Sequence, residues 1–285
     1  MVIDEYDILY NGVKIPRLGL GTWFIDDDKA AEAVGEAVKL GYRHFDTAEA
    51  YGNERGVGEG VRLAGVPREQ LFVTTKLAAE VKDYDGASRA IDESLARAGL
   101  DYYDLMLIHA PQPWTDFRGG DYTEGNREAW RALEDAYEAG KLKAIGVANF
   151  KEEDIRSLTD AGMTKPMVNQ ILVHISNTPQ ELIGFCRKES ILVEGYSPVA
   201  HGEILQNEEI RAMADKYGVS AAQLCIRYDL QLGTVPLPKT ANPEHMKENA
   251  AVDFEIAEED MNALINFEHI KDYGKFTFFP VFSGK

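Results

Sequence analysis

The feature that most constrains the fold of this chain is a regular alternation of short apolar stretches and amphipathic stretches along almost its whole length. Stretches such as LFVTTKL and DLMLIHA are typical of buried strands, and NREAWRALEDAYEAGK repeats its apolar residues at helical spacing. Eight such strand–helix pairs follow one another. This alternation predicts βαβ units and a parallel sheet. Eight pairs in 285 residues match an α/β fold, the closed (β/α)8 TIM barrel, which takes about 250 residues.

Both ends of the chain carry additional elements. LYNGVKI, ahead of the first strand, predicts a β-hairpin that caps the barrel, with a type I′ turn at Asn11-Gly12. AEEDMNALINFE predicts an extra C-terminal helix, and the aromatic tail DYGKFTFFPVFSGK follows it. No linker-like segment separates the units, so we expect residues 1–285 to form one domain. The competing architecture, a doubly wound open sheet, is disfavoured because GLGTW contains GxG without the full GxGxxG pattern.

Composition narrows the classes of function. The chain has 30 Lys and Arg against 48 Asp and Glu, a formal charge of −18, which argues against nucleic-acid binding. No apolar run is long enough to span a membrane and the acidic N-terminus is unlike a secretory signal, so we expect a cytoplasmic protein with no membrane partner. Cys186 and Cys225 lie in apolar helical patterns and predict no disulfide, and neither they nor the scattered histidines have the spacing of a metal site.

Polar residues stand at the C-terminal ends of the predicted strands, which is where barrels of this type place their active sites. In strand order they are Gly21, Thr22 and Trp23; Asp46, with Tyr51 in the following loop; Lys76; His109; Asn149; Asn169 and Gln170; Tyr196 and Ser197; and Lys239 and Thr240. We therefore expect these residues, from separate parts of the chain, to share one mouth of the barrel.

Four of these groups form a coherent acid–base set. An apolar barrel mouth cannot hold a lone ammonium cheaply, so we expect Lys76 to pair with Asp46. A cation beside Tyr51 favours the phenolate and is expected to lower the phenol pKa from about 10. His109 can donate a hydrogen bond to the same substrate oxygen. Together these groups suit protonation of a carbonyl oxygen that becomes an alkoxide as its carbon accepts hydride.

A series of ordered motifs resembles the aldo-keto reductases over almost the whole chain: GYRHFDTAEAYGNE, TTKL, LIHAPQP, GVANF, VNQ, YSP and LPKTANPEHMKEN. The likeness is greatest to the bacterial diketogluconate reductase-like group. It implies a monomeric barrel that reduces small aldehydes and ketones, sugar-derived or dicarbonyl compounds among them, with a nicotinamide cofactor. It also implies a catalytic tetrad in which Tyr51 donates the proton, Lys76 and Asp46 tune it, and His109 orients the carbonyl.

The same resemblance implies a set of cofactor contacts. Asn149 and Gln170 would hold the carboxamide and Tyr196 would stack on the nicotinamide ring. The remaining cofactor positions are Gly21 and Thr22 after the first strand; Ser197, Val199 and Gly202 along the pyrophosphate; Lys239, Thr240 and His245 at the 2′-phosphate; and Glu248 and Asn249 near the adenine.

Three positions depart from the family's pattern. Ala148 stands where the family usually has Ser, so one hydrogen bond to the cofactor is expected to be absent. Ala110 replaces a bulky Trp of many relatives, which predicts a more open substrate pocket. His245 stands where relatives that strongly prefer NADPH have Arg. Because imidazole is mostly neutral at pH 7, we expect NADPH to be preferred and NADH to be usable.

Structural readings compete with functional ones at several positions. Trp23 and Trp114 are predicted to line the substrate pocket, with ordinary packing as the alternative. For His201 two roles stay possible, a contact to a cofactor phosphate and ordinary packing. His44 and His174 are predicted to be packed structural residues. The competing function for the chain is a non-catalytic, cofactor-binding regulatory or structural member of the same fold. The intact Asp-Tyr-Lys-His set argues against it.

Overall fold

The computed structural model describes residues 1–270 and 272–283 and contains the predicted barrel of eight parallel strands. The strands are β3 (Leu20–Gly21), β4 (His44–Asp46), β5 (Phe72–Leu77), β6 (Leu105–Ile108), β7 (Ile145–Ala148), β8 (Val168–Leu172), β9 (Leu192–Tyr196) and β10 (Val235–Leu237). They pair in chain order from β3 to β10. Backbone hydrogen bonds from Gly19 to Pro236 (3.2 Å) and from Gly21 to Pro238 (3.0 Å) close the ring.

Helices follow the strands and cover the outside of the barrel. They are α1 (Asp27–Lys39), α2 (Glu54–Leu63), α3 (Tyr84–Ala98), α4 (Thr123–Glu138), α5 (Glu152–Thr159), α6 (Gln180–Lys188), α7 (Glu208–Tyr217), α8 (Ala221–Gln231), α9 (Pro243–Ala250) and the extra helix α10 (Glu258–Ile265). Local signals explain their starts: Asp83 accepts from the Gly86 N–H ahead of α3, and Ser220 forms a capping box with Gln223 ahead of α8. The predicted fold class is confirmed.

The predicted N-terminal hairpin is present and lies against the N-terminal ends of the barrel strands. Strands β1 (Tyr6–Ile8) and β2 (Lys14–Pro16) pair antiparallel, and Asn11 Nδ2 donates to the carbonyl of Lys143, just ahead of β7, at 3.0 Å. The expected type I′ turn is wrong. Of the two turn residues only Gly12 has a positive φ (88°), and its N–H donates to the Leu9 carbonyl at 2.8 Å, so the turn is the longer type with glycine last.

The aromatic tail crosses the opposite end of the barrel in two short 3-10 turns, Gly274–Phe276 and Pro280–Phe282. Tyr273 anchors it, since its hydroxyl lies 3.0 Å from Nε2 of the buried His174. Because the hairpin closes one mouth of the barrel, the tail and the strand C-termini define the other mouth as the place for a site. Within the described part of the chain, no helix is long and apolar enough to cross a membrane.

Candidate active site

The polar residues predicted at the first strand ends meet at the C-terminal mouth. Asp46 is the last residue of β4, Lys76 lies in β5, and both are almost fully buried. Lys76 Nζ donates to both carboxylate oxygens of Asp46 at 2.7 Å and to the Thr47 carbonyl at 2.9 Å. The same ammonium lies 3.2 Å from the Tyr51 hydroxyl. The expected Asp46–Lys76 pair is therefore present, and it places a positive charge beside the phenol.

The protonation of this cluster follows from burial and from the close charges. Burial opposes the charge on Lys76, but Asp46 and Tyr51 outweigh it and raise the pKa of the ammonium above 10.5. Burial also raises the pKa of Tyr51 above its ordinary value of 10.0, and Lys76 offsets this effect only in part. The sequence-based expectation of a lowered phenol pKa is thus wrong, because desolvation of the ring outweighs the neighbouring cation. Tyr51 stays protonated throughout the neutral range.

His109 directly follows β6 and lies beside the phenol, with ring centroids 5.8 Å apart. Burial, assisted by the charge of Lys76, holds the pKa of His109 well below 6.5. The imidazole is therefore neutral and has one N–H to donate. Its backbone carbonyl accepts from Asn149 Nδ2 at 3.0 Å, which ties the ends of β6 and β7 together.

The residues predicted to hold a carboxamide lie next to this cluster. Gln170 Nε2 donates to Asp46 Oδ1 and to Glu194 Oε2, both at 2.8 Å. Asn149 adopts a positive φ of 61°, and its Oδ1 accepts from the Tyr196 hydroxyl at 2.8 Å. Strands β7, β8 and β9 thus present two amides and one phenol at the same mouth.

A cavity of about 990 Å³ opens above these groups. The predicted site residues that line it are Gly21, Trp23, Asp46, Tyr51, His109, Trp114, Asn149, Gln170, Tyr196, Ser197, Val199, Gly202 and Lys239. Lys76 lies behind Tyr51 rather than on the surface of the cavity. Trp23 and Trp114 are both on its wall, where Trp114 stacks edge-on to His109 at 5.1 Å.

The other five predicted cofactor residues lie outside the cavity wall. The Thr22 hydroxyl is fully buried and donates to the Asp46 carbonyl at 2.9 Å. Thr240 Oγ1 accepts from the Asn242 N–H at 3.0 Å, just ahead of α9. On that helix His245 and Glu248 are exposed, whereas Asn249 is buried. These last four residues form a separate group after β10, next to Lys239.

The loop after β9 has an unusual backbone. Ser197, Ala200 and His201 have positive φ angles of 55°, 47° and 56°, and Gly202 follows at 97°. Such conformations are costly for residues with a Cβ, so surrounding contacts must hold the loop. His201 supplies one of them, since its ring stacks on Phe276 of the tail with centroids 4.0 Å apart. Burial lowers the pKa of His201 to about 4. In this structure it is a neutral packing residue.

Several site residues were not found by the sequence reasoning. Lys275 and Phe24 line the cavity, although neither lies at a strand end. Glu194 lies inside the barrel and accepts a hydrogen bond from Gln170, which lines the cavity. The signal for Glu194 was present in the sequence, because a carboxylate inside the apolar strand ILVEGYS is uncommon. No comparable signal pointed to Lys275 in the irregular tail.

The position of Ala110 differs from expectation. It is fully buried and packs with Ala79, Phe117 and Trp114, and it does not line the cavity. The aromatic side chains of the following loop occupy the space, so the small residue does not open the pocket at this point. Ala148, ahead of Asn149, is likewise buried and offers no hydroxyl.

Comparison with known proteins agrees with this geometry. The sequence pattern of the Aldo/keto reductase family matches residues 17–268. The chain is 42% identical to a glyoxal reductase of Bacillus subtilis over 90% of each chain, and 37% identical to an aldehyde reductase of Saccharomyces cerevisiae over 92% of this chain and 90% of that one. The crystal structure of a Bombyx mori aldo-keto reductase in complex with NADP matches with a TM-score of 0.84 and 34% identity, over 98% of each chain. The chain belongs to the aldo-keto reductase family, whose members are oxidoreductases that reduce carbonyl compounds with nicotinamide cofactors.

Proposed function

We propose that this protein reduces small aldehydes and ketones to alcohols, dicarbonyl and sugar-derived compounds among them, with Tyr51 as the proton donor. One arrangement carries the proposal. A buried Asp46–Lys76 ion pair holds its ammonium 3.2 Å from the Tyr51 hydroxyl, beside a neutral His109, at a cavity of about 990 Å³. The glyoxal reductase relative supports dicarbonyl compounds as the first substrates to test.

The chemistry of reduction asks for these groups. A carbonyl oxygen gains negative charge as its carbon receives hydride, so it needs a proton and hydrogen-bond donors beside it. Tyr51 has the proton to give, and the adjacent Lys76 stabilises the phenolate that remains. His109 donates its single N–H to the same oxygen. The charge of Lys76 stays balanced by Asp46 during the transfer.

The cavity also fits an anionic dinucleotide. Lys239 and Lys275 line it, and neither forms an ion pair with a described residue, although the chain carries 48 Asp and Glu. Burial lowers the pKa of Lys239, Asp26 opposes this effect, and the charge of Lys275 adds to it. Two lysines that form no ion pair with any described residue, in so acidic a chain, provide the local basic pocket that cofactor phosphates require.

The cofactor, when bound, supplies the hydride. In our assignment Asn149 and Gln170 hold its carboxamide, Tyr196 lies against its ring, and the loop after β9 follows the pyrophosphate. The residues of that loop and of the remaining contacts are Gly21, Thr22, Ser197, Val199, Gly202, Lys239, Thr240, His245, Glu248 and Asn249. NADPH is the preferred cofactor and NADH a usable one, because Lys239 and Thr240 remain at the 2′-phosphate while His245 replaces a permanent cation.

The test is NADPH consumption with a panel of dicarbonyls, aldehydes, ketones and aldoses, followed by identification of the alcohol product. Cofactor binding is measured in parallel through tryptophan fluorescence, since Trp23 and Trp114 both line the cavity. Binding of the dinucleotide without turnover of any carbonyl would favour the alternative, a non-catalytic cofactor-binding member of the fold. Failure to bind either dinucleotide would contradict both functions.

Three further properties stay predictions: a single domain over residues 1–285, a monomeric state and a cytoplasmic location. Size-exclusion chromatography with light scattering tests the second directly. A dimer at micromolar concentration would overturn it.

A further inference from the structure

The barrel interior contains a carboxyl group that the proposed reduction does not use. Glu194 lies on β9, is fully buried, and is the register partner of Gln170 on β8. Its Oε2 accepts from Gln170 Nε2 at 2.8 Å, whereas Oε1 has no hydrogen-bond partner among the described residues. Burying a carboxyl group costs free energy, so we expect Glu194 to have a role that offsets this cost.

Gln170 joins Glu194 to the strand-end cluster. Its Nε2 also donates to Asp46 Oδ1 at 2.8 Å, so both N–H bonds of the amide point at carboxyl groups. Gln170 Oε1, which accepts from none of the described residues, is left for the cavity that this residue lines. A flipped amide would set its oxygen against the Asp46 carboxylate and lose the hydrogen bond to Asp46 Oδ1.

We propose that Glu194 is a positioning residue for cofactor binding: by accepting one N–H of Gln170, it locks the amide so that its oxygen faces the cavity as an acceptor. The inference rests on the proposed function, since it assumes that Gln170 contacts the carboxamide of the nicotinamide. Asp46 alone satisfies one N–H of Gln170, and Glu194 satisfies the second. Without Glu194 that second N–H is left buried and unpaired, and the amide is free to tilt.

The groups around Glu194 come from three strands and one helix. His44 Nε2 on β4 lies 3.5 Å from Glu194 Oε1, and Asp46 and Lys76 act on the carboxyl from β4 and β5. On the opposite face of β9, Asp229 of α8 is buried against Gly195. Burial lowers the pKa of His44 to about 3, so this imidazole is neutral and provides no counter-charge.

The protonation of Glu194 gives a readout that needs no cofactor. Burial, reinforced by Asp46, raises the pKa of Glu194 from 4.5 to about 8, against the opposing effects of Gln170 and Lys76. Because the pKa of Glu194 is higher in the folded state than in the unfolded chain, its protonated carboxyl group contributes stability. This contribution is complete below about pH 4.5 and is lost as pH rises through about 8. The cofactor-free wild-type protein is expected to lose urea resistance between about pH 4.5 and pH 8. Glu194→Gln, which cannot ionise, lacks this part of the loss.

The decisive experiment is a double-mutant cycle on dinucleotide binding, with Kd for NADPH measured by fluorescence titration of the folded protein. Glu194→Leu removes the acceptor and is expected to weaken binding about tenfold. Glu194→Gln keeps an acceptor oxygen and is expected to stay within about twofold of wild type. Gln170→Leu weakens binding by itself, and in that background Glu194→Leu has little further effect, because the two residues act as one unit.

The outcomes separate the inference from the proposed function. If Gln170→Leu weakens binding and Glu194→Leu only lowers the urea midpoint, Glu194 is structural and the inference fails. It also fails if Glu194→Gln is as damaging as Glu194→Leu, or if the two leucine variants have independent effects. If Glu194→Leu does not fold, the comparison of Glu194→Gln with the Gln170 variants still decides: a tenfold loss in Glu194→Gln overturns the inference. Absence of dinucleotide binding by the wild-type protein would instead contradict the proposed function.

Discussion

The two walls of the cavity are built in different ways. On one side, Asp46, Lys76 and Gln170 lie on barrel strands, each at most 4% exposed and joined by hydrogen bonds of 2.7–2.8 Å. On the other side, the tail meets the loops through aromatic contacts such as His201 with Phe276, and Phe278 is 75% exposed. The first wall is fixed by strand pairing and charge. In the described part of the tail, the second is held by aromatic packing and by the hydrogen bond between Tyr273 and His174.

This difference suggests that the strand wall carries out the proton transfer and that the tail wall encloses the substrate. Proton transfer needs distances held to a fraction of an ångström, and residues on paired strands have little freedom to move. Enclosure of varied small carbonyls needs an adaptable apolar surface, which aromatic side chains on an irregular tail can provide. We therefore expect substitutions in the strand wall to act on kcat and substitutions in the tail wall to act on KM.

The largest expected effect is that of Tyr51→Phe. The ring and its packing remain, but the proton is gone, so kcat should fall by about 100- to 10,000-fold. The Kd for NADPH should stay within about twofold, since the hydroxyl contacts Lys76 rather than a predicted cofactor group. Steady-state kinetics on a good aldehyde and a fluorescence titration provide the two numbers. A variant that keeps more than a tenth of wild-type kcat would rule out Tyr51 as the proton donor.

Lys76→Met should approach the same loss, because the phenolate left by Tyr51 would have no cation beside it. The substitution also leaves Asp46 buried without its partner, a situation that costs roughly 3–5 kcal/mol of stability. Because the pKa of Lys76 is raised in the folded state, the stability that its charge contributes is fully present below its ordinary pKa of 10.5 and is lost as pH rises through the raised value. The stability defect of the variant should shrink in acid, where a lone buried carboxyl group can take up a proton.

The measurements for Lys76→Met are the pH–rate profile and urea unfolding at two pH values. Lys39→Met is the matched control, since Lys39 forms an exposed pair with Glu36 on α1 and should change neither. A pH–rate profile identical to that of wild type would mean that Lys76 is not coupled to Tyr51.

The strand wall can be predicted from the sequence alone, whereas the tail wall cannot. Barrel architecture and strand ends follow from hydrophobic period and from the rule that barrel sites lie at strand C-termini, so the amino-acid order is enough to place Asp46, Lys76, His109 and Gln170. The phenol pKa does not follow from it, because that pKa depends on how deeply Tyr51 is desolvated. The contacts of Phe276 and Lys275 do not follow either, since an irregular segment has no period that predicts its path.

The next prediction concerns the choice between NADPH and NADH, which we assign to residues at the edge of the strand wall, where α9 follows β10. His245 is exposed on α9, close in the chain to Lys239 and Thr240. His245→Arg should raise the kcat/KM preference for NADPH over NADH by roughly 5- to 150-fold, because a permanent cation with bidentate geometry replaces an imidazole ring.

Kinetics with both cofactors check this prediction, with His269→Arg as a control for added charge elsewhere. A wild-type preference of several thousandfold for NADPH would contradict it, and so would a clear preference for NADH. If His245→Arg leaves the preference unchanged, His245 lies outside the phosphate pocket.

The smallest expected effect is that of a substitution in the tail, and it tests the difference between the two walls most directly. Phe276 stacks on His201 at 4.0 Å and packs on Trp23 and Phe24 with centroids 6.1 Å and 5.6 Å away, but it touches none of the proton-transferring groups. Phe276→Ala should therefore raise KM for a carbonyl substrate by about 2- to 12-fold, the equivalent of one lost aromatic pair, and leave kcat within about twofold. Ile8→Ala, at an exposed residue of the hairpin on the far end of the barrel, should change neither value. A fall in kcat with constant KM would mean that the tail helps to set the geometry of the proton transfer, and the division between a catalytic strand wall and an enclosing tail wall would not hold.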